Sequence, residues 1–129
     1  MTFLKPFTPY LLSALRIASG LLFLQHGATK YLSFPKTEMS GVDPMTLGGA
    51  AGLIELVCGA LLVVGLFTRP AAFLASGTMA AAYFLVHAPQ SLYPIINGGE
   101  LAALYSFVFV YLAAAGGGPI SIDRMVGRG

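Results

Sequence analysis

The chain has 129 residues, of which 57% belong to the AVILMFWYC class and 9% are charged, with a formal net charge of +2 when His is neutral. A soluble domain carries about 25% charged residues to cover its surface in water; seven basic and five acidic side chains fall far short of that. With a mean hydropathy of +0.80, these figures exclude an ordinary soluble enzyme, a disordered tail and a disulfide scaffold. The lack of a basic run excludes a nucleic-acid partner, which leaves an integral membrane protein surrounded by lipid.

Four apolar stretches of about 20 residues, the length that crosses about 30 Å of hydrocarbon, are expected at 9–28, 47–67, 71–88 and 98–115. Continuous apolarity over such lengths indicates helices rather than barrel strands, which alternate with period two. Pro6 and Pro9 open the first span. Lys5 ahead of an apolar run is also a feature of signal peptides, but Arg16 interrupts the run and no small-residue cleavage pattern follows, so the segment is read as retained. A long connection at 29–46 holds Lys30, Lys36, Glu38 and Asp43. Thr68-Arg69-Pro70 reads as a tight turn between antiparallel spans two and three. Pro89, Pro94 and Gly98-Gly99 bracket the third connection, and Gly116-Gly117-Gly118-Pro119 ends the fourth span.

The expected fold class is therefore all-α: one domain over 1–129, a four-transmembrane-helix bundle. Lys5, Arg69, Arg124 and Arg128 fall on one side and Lys30 and Lys36 on the other. By the positive-inside rule both termini are cytoplasmic, as in a multi-pass protein of the inner membrane. Gly48, Gly52 and Gly59 in span two, and Ala72, Ser76 and Ala80 in span three, form small-residue stripes that let helices approach closely in lipid. The lone cysteine, Cys58, reads as a buried apolar thiol.

Ionisable residues within spans carry the most information, since a charge at mid-membrane costs roughly 2.5–3.5 kcal/mol on insertion scales. Five are present: Arg16, His26, Glu55, His87 and Glu100. Counting from the span centres puts Arg16 and Glu55 about 6 Å apart in depth, so an intramembrane Arg16–Glu55 ion pair is expected. His26, His87 and Glu100 fall together about 10–12 Å outward of the midplane. Lys30 and Tyr83 lie one turn from the two histidines, and Asn97 lies just before Glu100. Spacings of three and four give one stripe per helix: Arg16, Ser19, Phe23, His26 and Lys30 on the first; Gly52, Glu55 and Gly59 on the second; Ser76, Ala80, Tyr83 and His87 on the third; Glu100, Leu104, Phe107 and Tyr111 on the fourth. Converging stripes would line an outward-facing polar pocket. His26, His87 and Glu100 would be its proton-transferring catalytic groups, and Lys30, Tyr83 and Asn97 its binding groups. No metal is assigned, because no His-x-x-x-His or Glu-x-x-His pair shares a helix. No nucleophile elbow, phosphate loop or Cys-x-x-Cys is present.

The runs RIASGLLFLQHGATKYLSF at 16–34, GLIELVCGALLVVGLFTR at 52–69 and NGGELAALYSFVFVYLAAAGGGPISID at 97–123 resemble, in order, the blocks of the DoxX family of small four-helix membrane proteins. The resemblance implies a four-helix fold and a polar pattern at Arg16, His26, Gly27, Lys30, Glu55, Asn97, Gly98 and Glu100. It also implies a link to quinone-dependent membrane oxidoreductases, in which larger relatives act with partner subunits or extra domains. The expected role is thus a membrane subunit of a quinone-linked oxidoreductase, not catalytic alone, whose pocket would take a quinone head group as cofactor. It would contact lipid together with a protein partner subunit or further copies of itself. A non-catalytic anchor or assembly subunit, docking a partner through the 29–46 loop, is the alternative. A small-solute or proton pathway is the second.

Overall fold

The computed structural model describes residues 1–128. A 3₁₀ turn, Thr2–Phe7, leads into α1, Thr8–Leu32, with Pro9 in the first turn, where its missing N–H is no loss. Ser33, in the left-handed region, ends α1. Helix α2, Leu47–Val64, starts at Thr46, whose hydroxyl accepts from the Gly49 N–H at 3.0 Å, and stops at Gly65 with φ 72°. Helix α3, Thr68–Ala82, runs on through a π-helical turn, Tyr83–His87, and a 3₁₀ turn, Ala88–Gln90. A short α4, Pro94–Asn97, precedes α5, Glu100–Ala115, and α6, Ile122–Met125.

Among the described residues the fold is all-helical. Three helices are long and apolar enough to cross a membrane: Thr2–Leu32, Leu47–Val64 and Thr68–Gln90. The fourth apolar helix, Glu100–Ala115, is shorter, at 16 residues. Two boundaries differ from the sequence expectation. Thr68, Arg69 and Pro70 form the first turn of α3 rather than a linking turn, because proline is accommodated in a first helical turn; the link is only Gly65–Phe67. Helix α1 extends to Leu32, four residues beyond the expected span, which brings Lys30 into the helix.

The helices associate as two pairs, α1 with α2 and α3 with α5, joined mainly where α2 meets α3. The first pair packs through glycine. A Cβ on Gly27 would lie 2.5 Å from the Leu56 nitrogen, and one on Gly59 would lie 2.7 Å from the Leu24 Cα. Without these side chains the backbones close on each other, the route to association where apolar side chains gain little by leaving lipid. Of the expected span-two stripe, Gly59 makes such a backbone contact, Gly52 lies beneath the Lys30 and Tyr31 side chains, and Gly48 meets nothing tighter than ordinary van der Waals distance. On the second pair the Ser76 hydroxyl donates to the Ser106 carbonyl at 2.7 Å. Phe23 is the centre of the core, edge-on to Tyr105 and Phe109 at centroid distances of 5.6 and 4.9 Å, with Leu62, Ala72, Ala75 and Leu112 buried around it.

Helix α5 corrects the expected fourth stripe. Glu100, Leu104, Phe107 and Tyr111 are all exposed, and the inward face is Ala102, Tyr105, Phe109 and Leu112. Both faces of α5 are apolar, so hydropathy did not mark the inner one.

Candidate functional site

The ionisable residues separate into two clusters at opposite ends of the bundle. The contacts of Gly20 with Leu62, Leu24 with Gly59 and Gly27 with Leu56 set the antiparallel register of α1 on α2. In that register Glu55 stands within about 3 Å of Lys30 in depth and about 18 Å from Arg16. Glu55 accordingly pairs with Lys30, Nζ to Oε1 at 2.8 Å, with side chains only 11% and 6% exposed. The expected Arg16–Glu55 pair does not form. Span centres misplaced the register because the midpoints of α1 and α2 are not level: the helices slide past each other by about 10 Å, so that Gly20 at the middle of α1 meets Leu62 near the end of α2. A Cβ on Gly52 would lie 2.8 Å from Lys30 Cδ, so the glycine clears the path along which the lysine stem crosses α2 to its carboxylate.

Arg16, fully buried, organises the other end. Its Nε donates to the Leu62 carbonyl at 2.8 Å and its terminal nitrogens donate to the carbonyls of Gly117 and of Ile120, the latter at 2.6 Å. Ser13 supports the same segment, donating to the Gly117 carbonyl at 3.0 Å and accepting from the Ile120 N–H at 3.1 Å. Asp123 closes the node by accepting from the backbone N–H groups of Phe67 at 2.8 Å and Thr68 at 2.9 Å. Burial pushes the Asp123 carboxyl up. The Thr68 and Phe67 N–H bonds and the nearby Arg128 charge outweigh that and hold it below its ordinary 3.8. These groups are mutually satisfied, and their role is to tie the carboxyl-terminal segment to α1 and to the link between α2 and α3.

At the Lys30 end lies a cavity of about 860 Å³ between the two helix pairs. Its lining is mostly apolar, with His26 and Lys30 from α1, Glu55 from α2, His87 from the π turn and Tyr105 from α5. Residues 38–42 of the long connection form one wall, held there because the Gly41 and Val42 N–H groups donate to the Lys30 carbonyl at 3.0 and 3.4 Å. The π turn shifts the helical phase of Tyr83 and His87 relative to the rest of α3, a local device common at functional sites. Gly99 makes room for them: a Cβ there would lie 2.7 Å from the Tyr83 ring and 2.8 Å from His87 Cβ. His87 Nδ1 sits 3.0 Å from the Asn97 carbonyl oxygen. A carbonyl only accepts, so Nδ1 carries the proton and Nε2 of the neutral ring is left as an acceptor.

The structure therefore unites His26, His87 and Lys30 around one cavity. Tyr83 and Asn97 stand behind His87, with the Asn97 amide donating to the Tyr83 hydroxyl at 3.3 Å and to the Ser91 carbonyl at 3.1 Å. Glu55 joins the cavity as the partner of Lys30. Glu100, expected as a catalytic group, is exposed in the first turn of α5 and does not line it; there a carboxylate complements the helix dipole. The residue missed in the sequence is Tyr105. Its signal was available, since Ala102, Tyr105, Phe109 and Leu112 follow spacings of three, four and three, and a tyrosine on an inward face brings a polar end with it. Among the described residues no group of three or more His, Cys, Asp or Glu side chains is placed to hold a metal ion.

A fold that is all-helical among the described residues, with several membrane-length apolar helices and charges confined to its interior and ends, is that of a multi-pass membrane protein. A family model described as DoxX matches residues 11–88, more than half of the chain, and the protein belongs to the DoxX family. It is similar to a protein of Haemophilus influenzae described only as an uncharacterized protein, with 45% identity over 131 residues and 96% of each chain covered. No solved structure matches it.

Proposed function

We propose that the chain is the membrane subunit of a quinone-linked oxidoreductase complex and that the cavity at the Lys30 end receives the quinone head group. The observation that carries this reading is the cavity itself. About 860 Å³ of mostly apolar space, with a few polar groups converging from four segments, has the size and character of a small-molecule site. An apolar tail would lie between the helix pairs. The Tyr105 hydroxyl and His26 are the groups suited to ring oxygens, and His87 Nε2 is the group suited to accept a proton from a hydroxyl of the reduced ring. The bound quinone would supply two-electron redox chemistry; the chain's residues would position it and exchange protons with it.

The same reading places α5 as a fourth, short span, with both termini in the cytoplasm of a cell bounded by an inner membrane. The cavity then opens toward the outer face. The electron donor would reside on a partner subunit docked against the 29–46 segment or on further copies of the chain. The Arg16 node favours one alternative, a non-catalytic anchor, because its Arg16, Ser13 and Asp123 side chains are spent on holding the chain together.

Titration of a quinone analogue into the purified full chain in detergent tests the site. His26→Ala and His87→Ala are each expected to weaken binding at least several-fold, and Glu100→Gln is expected to leave it unchanged. Unaltered affinity in both histidine variants would remove the head-group assignment.

A further inference from the structure

We infer that Tyr105 recognises the occupant of this cavity by donating its hydroxyl in a hydrogen bond to an acceptor oxygen on an otherwise apolar molecule. Tyr105 is 5% exposed and lines the cavity. Its ring is fixed on several sides. Phe109 stacks on it at 5.2 Å with 4° between planes, Phe23 meets it edge-on at 5.6 Å, and the His26 ring stands at 87° to it at 6.4 Å. The hydroxyl, in contrast, is buried with no hydrogen-bond partner among the described residues. A buried hydroxyl without a partner is costly and uncommon, and phenylalanine would fill the same aromatic slot without that cost. The chain thus holds a rigid, desolvated donor at the cavity wall and supplies nothing to accept from it.

The other polar groups of the lining are committed or better solvated. Lys30 is engaged by Glu55, His87 presents Nε2 as an acceptor while its Nδ1–H donates to the Asn97 carbonyl, and His26 is only partly buried. The group that completes Tyr105 must accept a hydrogen bond and must tolerate an apolar surround that includes Ile54, Met79, Ala82 and Leu101. A ring or chain carbonyl meets both conditions, and a charged head group does not. Met79, unbranched and flexible, lines the same wall and can yield to admit the oxygen. The quinone carbonyl is one such acceptor, and in that respect the inference rests on the function proposed above.

Calorimetric titration of the full chain in detergent with three probes separates the two. Menadione carries quinone carbonyls, 2-acetonaphthone carries a non-quinone ketone, and 2-methylnaphthalene has a comparable ring system and no oxygen. Tyr105→Phe is expected to weaken menadione and 2-acetonaphthone by about tenfold and to leave 2-methylnaphthalene unchanged. The melting temperature of the ligand-free variant should equal or exceed that of the wild type, because an unpaired hydroxyl has been removed. Unchanged carbonyl binding, an equal loss for 2-methylnaphthalene, or a lowered ligand-free melting temperature would overturn the role of the hydroxyl while leaving any quinone binding in place. Binding of 2-acetonaphthone with the tenfold loss, but none of menadione, would overturn the quinone reading and support the Tyr105 donor. Failure of all three probes to bind would overturn both.

Discussion

Lys30 and Glu55 face each other with little solvent, so each is tolerable only because of the other. Truncating one partner of a buried pair strands the second charge, at a cost of about 3 kcal/mol or more. Lys30→Ala and Glu55→Ala are each expected to destabilise the protein by about that much, and the double substitution by much less than the sum. A double-mutant cycle read by unfolding in detergent measures this coupling. Arg16 and Glu55, about 18 Å apart in depth, should show none. The same cycle thus separates the observed pairing from the one expected from span centres. The residue types at these positions were legible in the sequence: ionisable groups within apolar runs must find partners. Which partner each finds depends on a helix register that hydropathy does not encode, because the lipid-facing and the inward-facing residues are equally apolar.

At the scale of helices, glycine decides how α1 and α2 meet. Gly27→Ala places a methyl group against the backbone of α2 at Leu56. It should cost roughly 1–3 kcal/mol by forcing the pair apart, and it should weaken the Lys30–Glu55 pair by shifting its register. Gly77 in α3 is the control, since a Cβ there meets nothing within 4 Å. Gly77→Ala should stabilise by up to about 1 kcal/mol through helix propensity alone. Opposite signs for the two substitutions in thermal unfolding would confirm that contact, not propensity, governs the first. Small-residue stripes announced such packing in advance for Gly52 and Gly59. The π turn at Tyr83–His87 had no such signal, because the sequence runs smoothly through it and only the packing of Gly99 beneath Tyr83 and His87 shows why the helical phase changes there.

Across the whole molecule, the carboxyl-terminal segment is held by Arg16 and Asp123 rather than by apolar burial. Asp123 has a folded value below the ordinary one. Its contribution to stability is therefore fully present above the unfolded value near about pH 4 and is lost as pH falls through the depressed folded value. Asp123→Asn should lower the melting temperature at pH 6, and the gap to the wild type should close as the pH is brought below about 4. Arg16→Met leaves the carbonyls of Leu62 and Ile120 without their Arg16 donor and the Gly117 carbonyl with Ser13 alone. It should release residues 116–128 to limited proteolysis while the Lys30 end retains its ligand affinity.

Composition and apolar run length alone determined that this is an all-helical membrane protein, where its long helices lie to within a few residues, and which side chains are too polar to face lipid. Those properties follow from transfer of each segment out of water, which is additive along the chain and so can be read from it. Only the tertiary structure decided that Lys30 rather than Arg16 meets Glu55, that Glu100 stays outside the cavity, and that Tyr105 stands in its wall without a partner. These outcomes turn on rotations and slides of packed helices by a few ångströms. In a chain apolar on every face, those movements are set by the shapes of glycine and aromatic contacts, to which hydrophobicity is blind.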